Sequence, residues 1–343
     1  MLPSRADSYR RGLSLLGAKI LLESNRRDLI SDDEYFLGKG AHLHSLLSNF
    51  RQIDEIPPPG EPDIHLSLVD EPGKPILFSP KAGGRYAITG CIWEKERACQ
   101  DKRTGIFGNM GLFSKILVRE LETRGIYSFH STSFVDRARN RLYLTIGGSG
   151  SGKSTVLLKA ISLGGMEVFG TELTHFAFRE GEIVMLKGSL WQNCRMGNLV
   201  LDFPELLGRF GLKAPESDPW HVYKSVSLHA IQTAENELAS ISIVVVMPRI
   251  EGERTTSSMR LVPKSSLRMM LFQNLSDKVS PASLIWGTHF VPSLDSADRQ
   301  YARMVAAENF IEKAKIAECW NVLASPARCL DGIFPADAKI GIG

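Results

Sequence analysis

The chain has 343 residues, 43% of them apolar, with 41 Lys and Arg against 38 Asp and Glu. That length suffices for two domains, or for one large domain with an appendage. The near balance of charge lacks the basic footprint of a nucleic-acid binder, so nucleic acid is not an expected partner.

Five cysteines, Cys91, Cys99, Cys194, Cys319 and Cys329, are odd in number and widely spaced. Without a CxxC pair, a zinc or redox site is disfavoured, and reduced thiols in a cytoplasmic protein are the expectation. No apolar run reaches the length of a membrane span, so no membrane is expected. Arg5, Arg10 and Arg11 precede Gly12–Leu22 in loose imitation of a signal peptide. Lys19 interrupts that run and Glu23 follows without a small-residue cleavage site, so the segment reads as a first strand or helix.

Pro57–Pro62 reads as a rigid turn or short linker. Ile64, Leu66 and Leu68 alternate with His65 and Ser67, as a half-buried strand does. Lys74–Phe78 and Tyr86–Trp93 read as two further strands divided by the turn Ala82-Gly83-Gly84. The charged stretch Glu94–Arg97 and Asp101–Arg103 then marks a boundary. It separates a small α+β domain, 1–104, from an α/β domain, 105–343.

Over 111–123 the pattern is helical: Phe113, Ile116, Leu117 and Leu121 share a face, and Gly125 ends it. Ile126–Val135 and Arg141–Ile146 are predicted strands joined by a turn at 137–140. A helix is expected over Lys153–Leu163, stopping at Gly164-Gly165, followed by a short strand, Met166–Phe169. Ile241–Met247 suits a buried central strand. Asp295–Leu323 reads as one long amphipathic helix ending before Pro326.

Gly147-Gly148-Ser149-Gly150-Ser151-Gly152-Lys153-Ser154 matches G-x-x-x-x-G-K-[ST] at every fixed position. Glycines let backbone N–H groups turn toward phosphate oxygens, and the following helix presents its N-terminus to an anion. Lys153 is expected to face solvent until it reaches the β- and γ-phosphates, with the Ser154 hydroxyl on Mg²⁺. The expected nucleotide-binding set runs from Gly147 to Thr155. Ser162-Leu-Gly-Gly-Met166 imitates a transporter-ATPase signature but sits where a helix end needs glycine, so it is assigned a capping role. No NKxD motif is present, which disfavours a GTPase switch.

These residues resemble the HPr kinase/phosphorylase family, whose nucleotide-binding core is shared with phosphoenolpyruvate carboxykinases. The likeness runs through Phe129-His130–Val135, Leu142–Ile146, the glycine loop, Gly164-Gly165 and Val168–Glu172, with a further echo at Val244–Arg249. It covers about residues 126–180 and is thin elsewhere. It implies an α/β fold with a P-loop kinase core of the HPr kinase/PEP carboxykinase type and a smaller mixed α+β N-terminal domain. It further implies ATP and Mg²⁺ as cofactors. It implies a hydroxyl acceptor, such as a serine of a protein, of a peptide such as a lasso-peptide precursor, or of a small molecule. HPr kinases are hexameric, so a homo-oligomer is compatible with the likeness, although no interface motif supports one.

One departure matters. Where the family keeps an Asp pair as general base and metal ligand, this chain has Thr171 and Glu172. Threonine is no base at neutral pH, whereas Glu172 suits either a base or a metal ligand. His130 matches the family's histidine near the phosphates. His175 is a further candidate, although a packed strand histidine is the stronger reading for it. Arg249, beyond the carboxyl end of the most apolar strand, is placed to neutralise a transferring phosphoryl group, with Lys187 and Arg195 as weaker candidates. The missing Asp pair supports an alternative, a catalytically impaired nucleotide-binding regulatory module. A macromolecular ATPase is disfavoured because Pro248-Arg249, not Asp-Glu, follows the apolar strand.

Overall fold

A computed structural model describes residues 8–31, 50–53 and 62–334. The expected Pro-rich turn at 57–62 lies, but for Pro62, outside them. The protein is a mixed α/β chain that divides into two compact units, Met1–Gly125 with Lys278–Asp295, and Ile126–Asp277 with Ser296–Gly343. The helix expected over 111–123 thus belongs to the first unit, although the charged stretch pointed to a boundary at 104.

In the first unit, β1 (Tyr9–Leu15) and β2 (Ala18–Ser24) form a hairpin. The chain reverses at Leu16 and Gly17, which take φ of 47° and 82°. The stretch resembling a signal peptide is therefore strand, and Lys19 is the exposed residue between buried Ala18 and Ile20. With β3 (Phe50–Ile53), β4 (Ile64–Asp70), β5 (Leu77–Lys81) and β6 (Arg85–Gly90) it builds a sheet in the order β3-β1-β2-β4-β6-β5. The strand expected over Tyr86–Trp93 stops at Gly90, where φ is 116°. Any Cβ there would collide with the Pro75–Ile76 backbone. The chain turns instead into α1 (Ile92–Ala98), and α2 (Leu112–Thr123) follows.

The second unit opens with β7 (Ile126–Asp136), β8 (Arg141–Ile146), α3 (Lys153–Leu163), β9 (Met166–Gly170), β10 (Leu173–Arg179) and β11 (Glu182–Leu186). There follow β12 (Trp191–Arg195), α4 (Glu205–Arg209), β13 (Tyr223–Ser227), β14 (Glu237–Ala239), β15 (Ser242–Ile250), β16 (Ser258–Leu261) and α5 (Leu267–Ser276). After a hairpin of the first unit, β17 (Ser283–Ile285) with β18 (His289–Val291), the chain re-enters with α6 (Ala297–Lys313) and β19 (Ile316–Ala324). The main sheet runs β14-β11-β10-β7-β8-β15-β19-β16, with β9 added on β7. Strand β15 runs parallel to both β8 and β19 and is buried on both faces, as its unbroken apolar run requires. Val244 and Val246 pack with α3 residues, Val245 and Met247 with α5 and α6 residues.

The long helix expected over Asp295–Leu323 is overturned: α6 ends at Lys313 and β19 begins at Ile316. Ile316, Cys319 and Val322 are spaced by three and mimic a helical stripe. In the sheet, an extra residue, Ala317, breaks the register between Ile243 and Val244, so Ile316 and Cys319 reach one face. Val322 and Ala324 fill the other face. A two-faced buried strand with a bulge shows no period of two.

His175 lies inside this sheet on β10, its Nδ1 hydrogen-bonded with Ser128 Oγ at 2.7 Å. It is a packed histidine and does not enter a cleft. Burial pushes its pKa from 6.5 down to about 4. The folded state therefore keeps the ring neutral where the unfolded chain takes up a proton. Stability is complete above pH 6.5 and falls as pH drops toward 4, by up to about 3 kcal/mol. Urea unfolding across that interval checks this: in His175→Gln the fall is smaller by that amount.

Candidate functional site

Strand β8 delivers its last residue, Ile146, into the glycine loop, and α3 begins at Lys153. Gly152 takes φ of 102°, and a Cβ there would run into the Ile250 side chain. The loop is tied to the end of β15 by Ile250 N–H donating to Ser151 O at 3.0 Å. Gly148, Ser149 and Gly150 are exposed, while Thr155 is buried. The first-turn N–H groups of α3 have no carbonyl ahead of them in the helix and face the loop, so the helix end favours an anion.

Lys153 does not face solvent as expected; it is 9% exposed. Its Nζ donates to the carbonyls of Gly147 (2.7 Å) and Gly148 (3.0 Å). A buried ammonium needs acceptors, and the loop's own backbone supplies them. Ser154 Oγ accepts from Gln192 Nε2 at 3.0 Å, and the Ser151 hydroxyl is buried with no hydrogen-bond partner. An orphaned hydroxyl and a lysine held over the same loop are features that a bound polyphosphate satisfies. The residues present therefore fit the nucleotide that the motif implies.

Ser131 links this loop to the expected acid. On β7 it pairs with Ile146, and its own N–H donates to Glu172 O at 3.2 Å. Glu172 and the loop entrance thus flank one strand, two inter-strand spacings or about 10 Å apart. The next residues on β7 reach both: Thr132 Oγ1 donates to Lys153 O at 3.1 Å, and His130 Nε2 lies 3.5 Å from Glu172 Oε1. Nδ1 of the same ring is hydrogen-bonded to Asp277 Oδ2, and the His130 carbonyl accepts from Asn274 Nδ2 at 2.9 Å. The site is a glycine loop with a carboxylate–imidazole–carboxylate row one strand away.

Thr171 stands apart from this row. It is 3% exposed, its hydroxyl donates to Trp191 O at 2.7 Å, and its N–H donates to Ser189 O at 2.9 Å. An Asp at this position would set a carboxylate against a carbonyl oxygen, so the substitution does not supply a free base. Arg249 lies between two residues that abut the loop, Pro248 and Ile250. Its side chain is 78% exposed and pairs with Glu251 at 3.1 Å. Lys187 is buried and donates to Thr233 O and Gln232 Oε1, anchoring the segment after β13; burial pulls its ammonium below the usual lysine range. Arg195 braces Tyr223, donating to its hydroxyl at 2.9 Å and lying over its ring.

Among the described residues, no group of three or more His, Cys, Asp or Glu side chains is arranged to hold a metal ion. A cation here would rest on Ser154 and on phosphate oxygens, the usual economy of Mg²⁺ sites. Three participants were not legible in the sequence: Asp277, Asn274 and Gln192. Asp277 lies 147 residues from His130, with no motif around it. No family model and no curated protein matches the chain, so the geometry alone carries the functional argument.

Gly152→Ala tests the loop. A Cβ at positive φ costs about 1–2 kcal/mol, and the Ile250 contact adds to it. Thermal unfolding is expected to shift downward and nucleotide binding to be lost in calorimetry. Adding Ile250→Ala removes the Cγ1 contact but leaves Cβ at 2.6 Å and the backbone strain, so Tm recovers only in part.

Proposed function

We propose that the chain is an ATP- and Mg²⁺-dependent kinase that phosphorylates a hydroxyl, with a P-loop core of the HPr kinase/PEP carboxykinase type in its second unit. The observation that supports this best is the pairing of the Gly147–Ser154 loop with Glu172 and His130 across a single strand. Lys153 and the loop N–H groups hold the nucleotide phosphates, and Ser154 offers its hydroxyl oxygen to the cation. ATP supplies the phosphoryl group: the acceptor oxygen bonds to the γ-phosphorus, the bond to the β-phosphate oxygen breaks, and ADP leaves. Glu172 takes the acceptor's proton. Arg249, flanked by residues touching the loop, is in reach of the same edge once it leaves Glu251. The acceptor class is a serine-like hydroxyl on a protein, a peptide such as a lasso-peptide precursor, or a small molecule, met in the cytoplasm.

One observation favours a second reading. Thr171, at the position of the family's base, is buried and committed to Trp191 O. If Glu172 does not act as base, the chain is a nucleotide-binding regulatory module.

Glu172→Gln decides between them. It keeps size and hydrogen bonding, so ATP affinity in calorimetry is expected to be unchanged. Phosphotransfer is expected to fall by about two to four orders of magnitude, because Gln accepts no proton. Transfer at the wild-type rate removes Glu172 from the mechanism.

The loop assignment has its own tests. Lys153→Ala is expected to lose most nucleotide affinity; undiminished affinity sinks the assignment. Ser154→Ala is expected to weaken binding in Mg²⁺ more than binding in excess chelator. Equal losses in the two titrations remove Ser154 as a cation ligand.

A further inference from the structure

The end of α5 carries two side chains, Asn274 and Asp277, that both engage His130. Their spacing of three residues puts them on one helix face. Asn274 Nδ2 holds the His130 backbone carbonyl at 2.9 Å, and Asp277 Oδ2 takes Nδ1 of the ring. Backbone and ring are held from one element, which fixes where the second ring nitrogen points: Nε2 is delivered 3.5 Å from Glu172 Oε1. The helix end is itself well anchored. Leu267, Leu271 and Leu275 are buried in the core, and Arg303 of α6, fully buried, donates from Nη1 to Ser276 Oγ at 3.3 Å. Asn274 is buried with its Oδ1 lacking a partner, an arrangement that packing alone does not favour. Asp277 is partly exposed, and an exposed ion pair adds little stability, so the contact acts through orientation.

We propose that Asp277 is a positioning residue of the transfer site. Together with Asn274 it holds His130 with Nδ1–H toward the Asp277 carboxylate and Nε2–H toward the Glu172 carboxylate. The ring in turn steadies the Glu172 carboxylate for the acceptor hydroxyl. This rests on the kinase reading of Glu172 given above. The direction of the Nδ1 proton follows from its partner, since a carboxylate accepts.

The test uses the full chain and two readouts. The first is the rate at which diethyl pyrocarbonate modifies His130, followed by mass spectrometry of the peptide that carries it. The second is ATP turnover split into kcat and KM. Asp277→Ala frees Nδ1 and the ring, so His130 is expected to react about tenfold faster, and kcat to fall about 10- to 100-fold with KM for ATP unchanged. Asp277→Asn, whose amide oxygen still accepts from Nδ1–H, is expected to restore both in part. Unchanged reactivity of His130 in Asp277→Ala overturns the clamp, whatever the activity. Faster modification with an unchanged kcat overturns the positioning role while leaving the kinase reading standing. Absence of turnover in the wild type, with every acceptor, overturns the kinase reading and the positioning role with it; the modification rates then still report whether Asp277 holds the ring.

Discussion

The pairing of β15 between β8 and β19 is the constraint on which the second unit rests. All three strands run parallel, so their carboxyl ends meet at one edge of the sheet. Buried on both faces, Val244, Val245 and Val246 give β15 no alternative register that keeps its apolar run dry. The edge this creates is where the glycine loop leaves β8 and where Ile250 closes over Gly152. Ligand sites of open α/β sheets lie at such carboxyl edges because helix N-termini point there and side chains of the strands do not fill the space.

Strand β7 does the remaining work, running antiparallel to β8 and carrying chemistry on consecutive residues. Ser131 is paired to the loop entrance on one side and to Glu172 on the other, while Thr132 and His130 reach Lys153 and Glu172. Opposite charges are thereby kept apart by one strand: the lysine and the helix end on the loop side, the carboxylates on the other. At about 10 Å, near one Debye length in physiological salt, the carboxylate row does little to neutralise the anion-binding end.

Most of the second unit's local structure was legible because it follows from short-range rules. Glycines at positive φ, the apolar run of β15 and the strand–loop–helix order from Arg141 to Leu163 each have one reading. What escaped was set by distant partners. Cys319 and Val322 look helical because a bulge and a two-sided burial erase the strand period. Trp93 reads as continuing a strand because the collision that stops it at Gly90 involves the distant Pro75 and Ile76. Lys153 folds back on carbonyls that no motif announces. Asp277 and Asn274 arrive at His130 through the packing of α5, which has no local signature.

The placement of Thr171 and Glu172 is also a question of backbone geometry. In an extended strand, neighbouring side chains point to opposite faces, so only one of two adjacent residues would face the His130 ring. These two residues lie between β9, which ends at Gly170, and β10, which begins at Leu173. The chain bends there, and the alternation of an extended strand does not apply. Thr171 turns in toward Trp191 while Glu172 comes round to His130. Glutamate also carries one more methylene than aspartate, which lengthens its reach toward the ring. A bend and a long side chain together set one carboxylate beside the His130 ring while Thr171 stays buried.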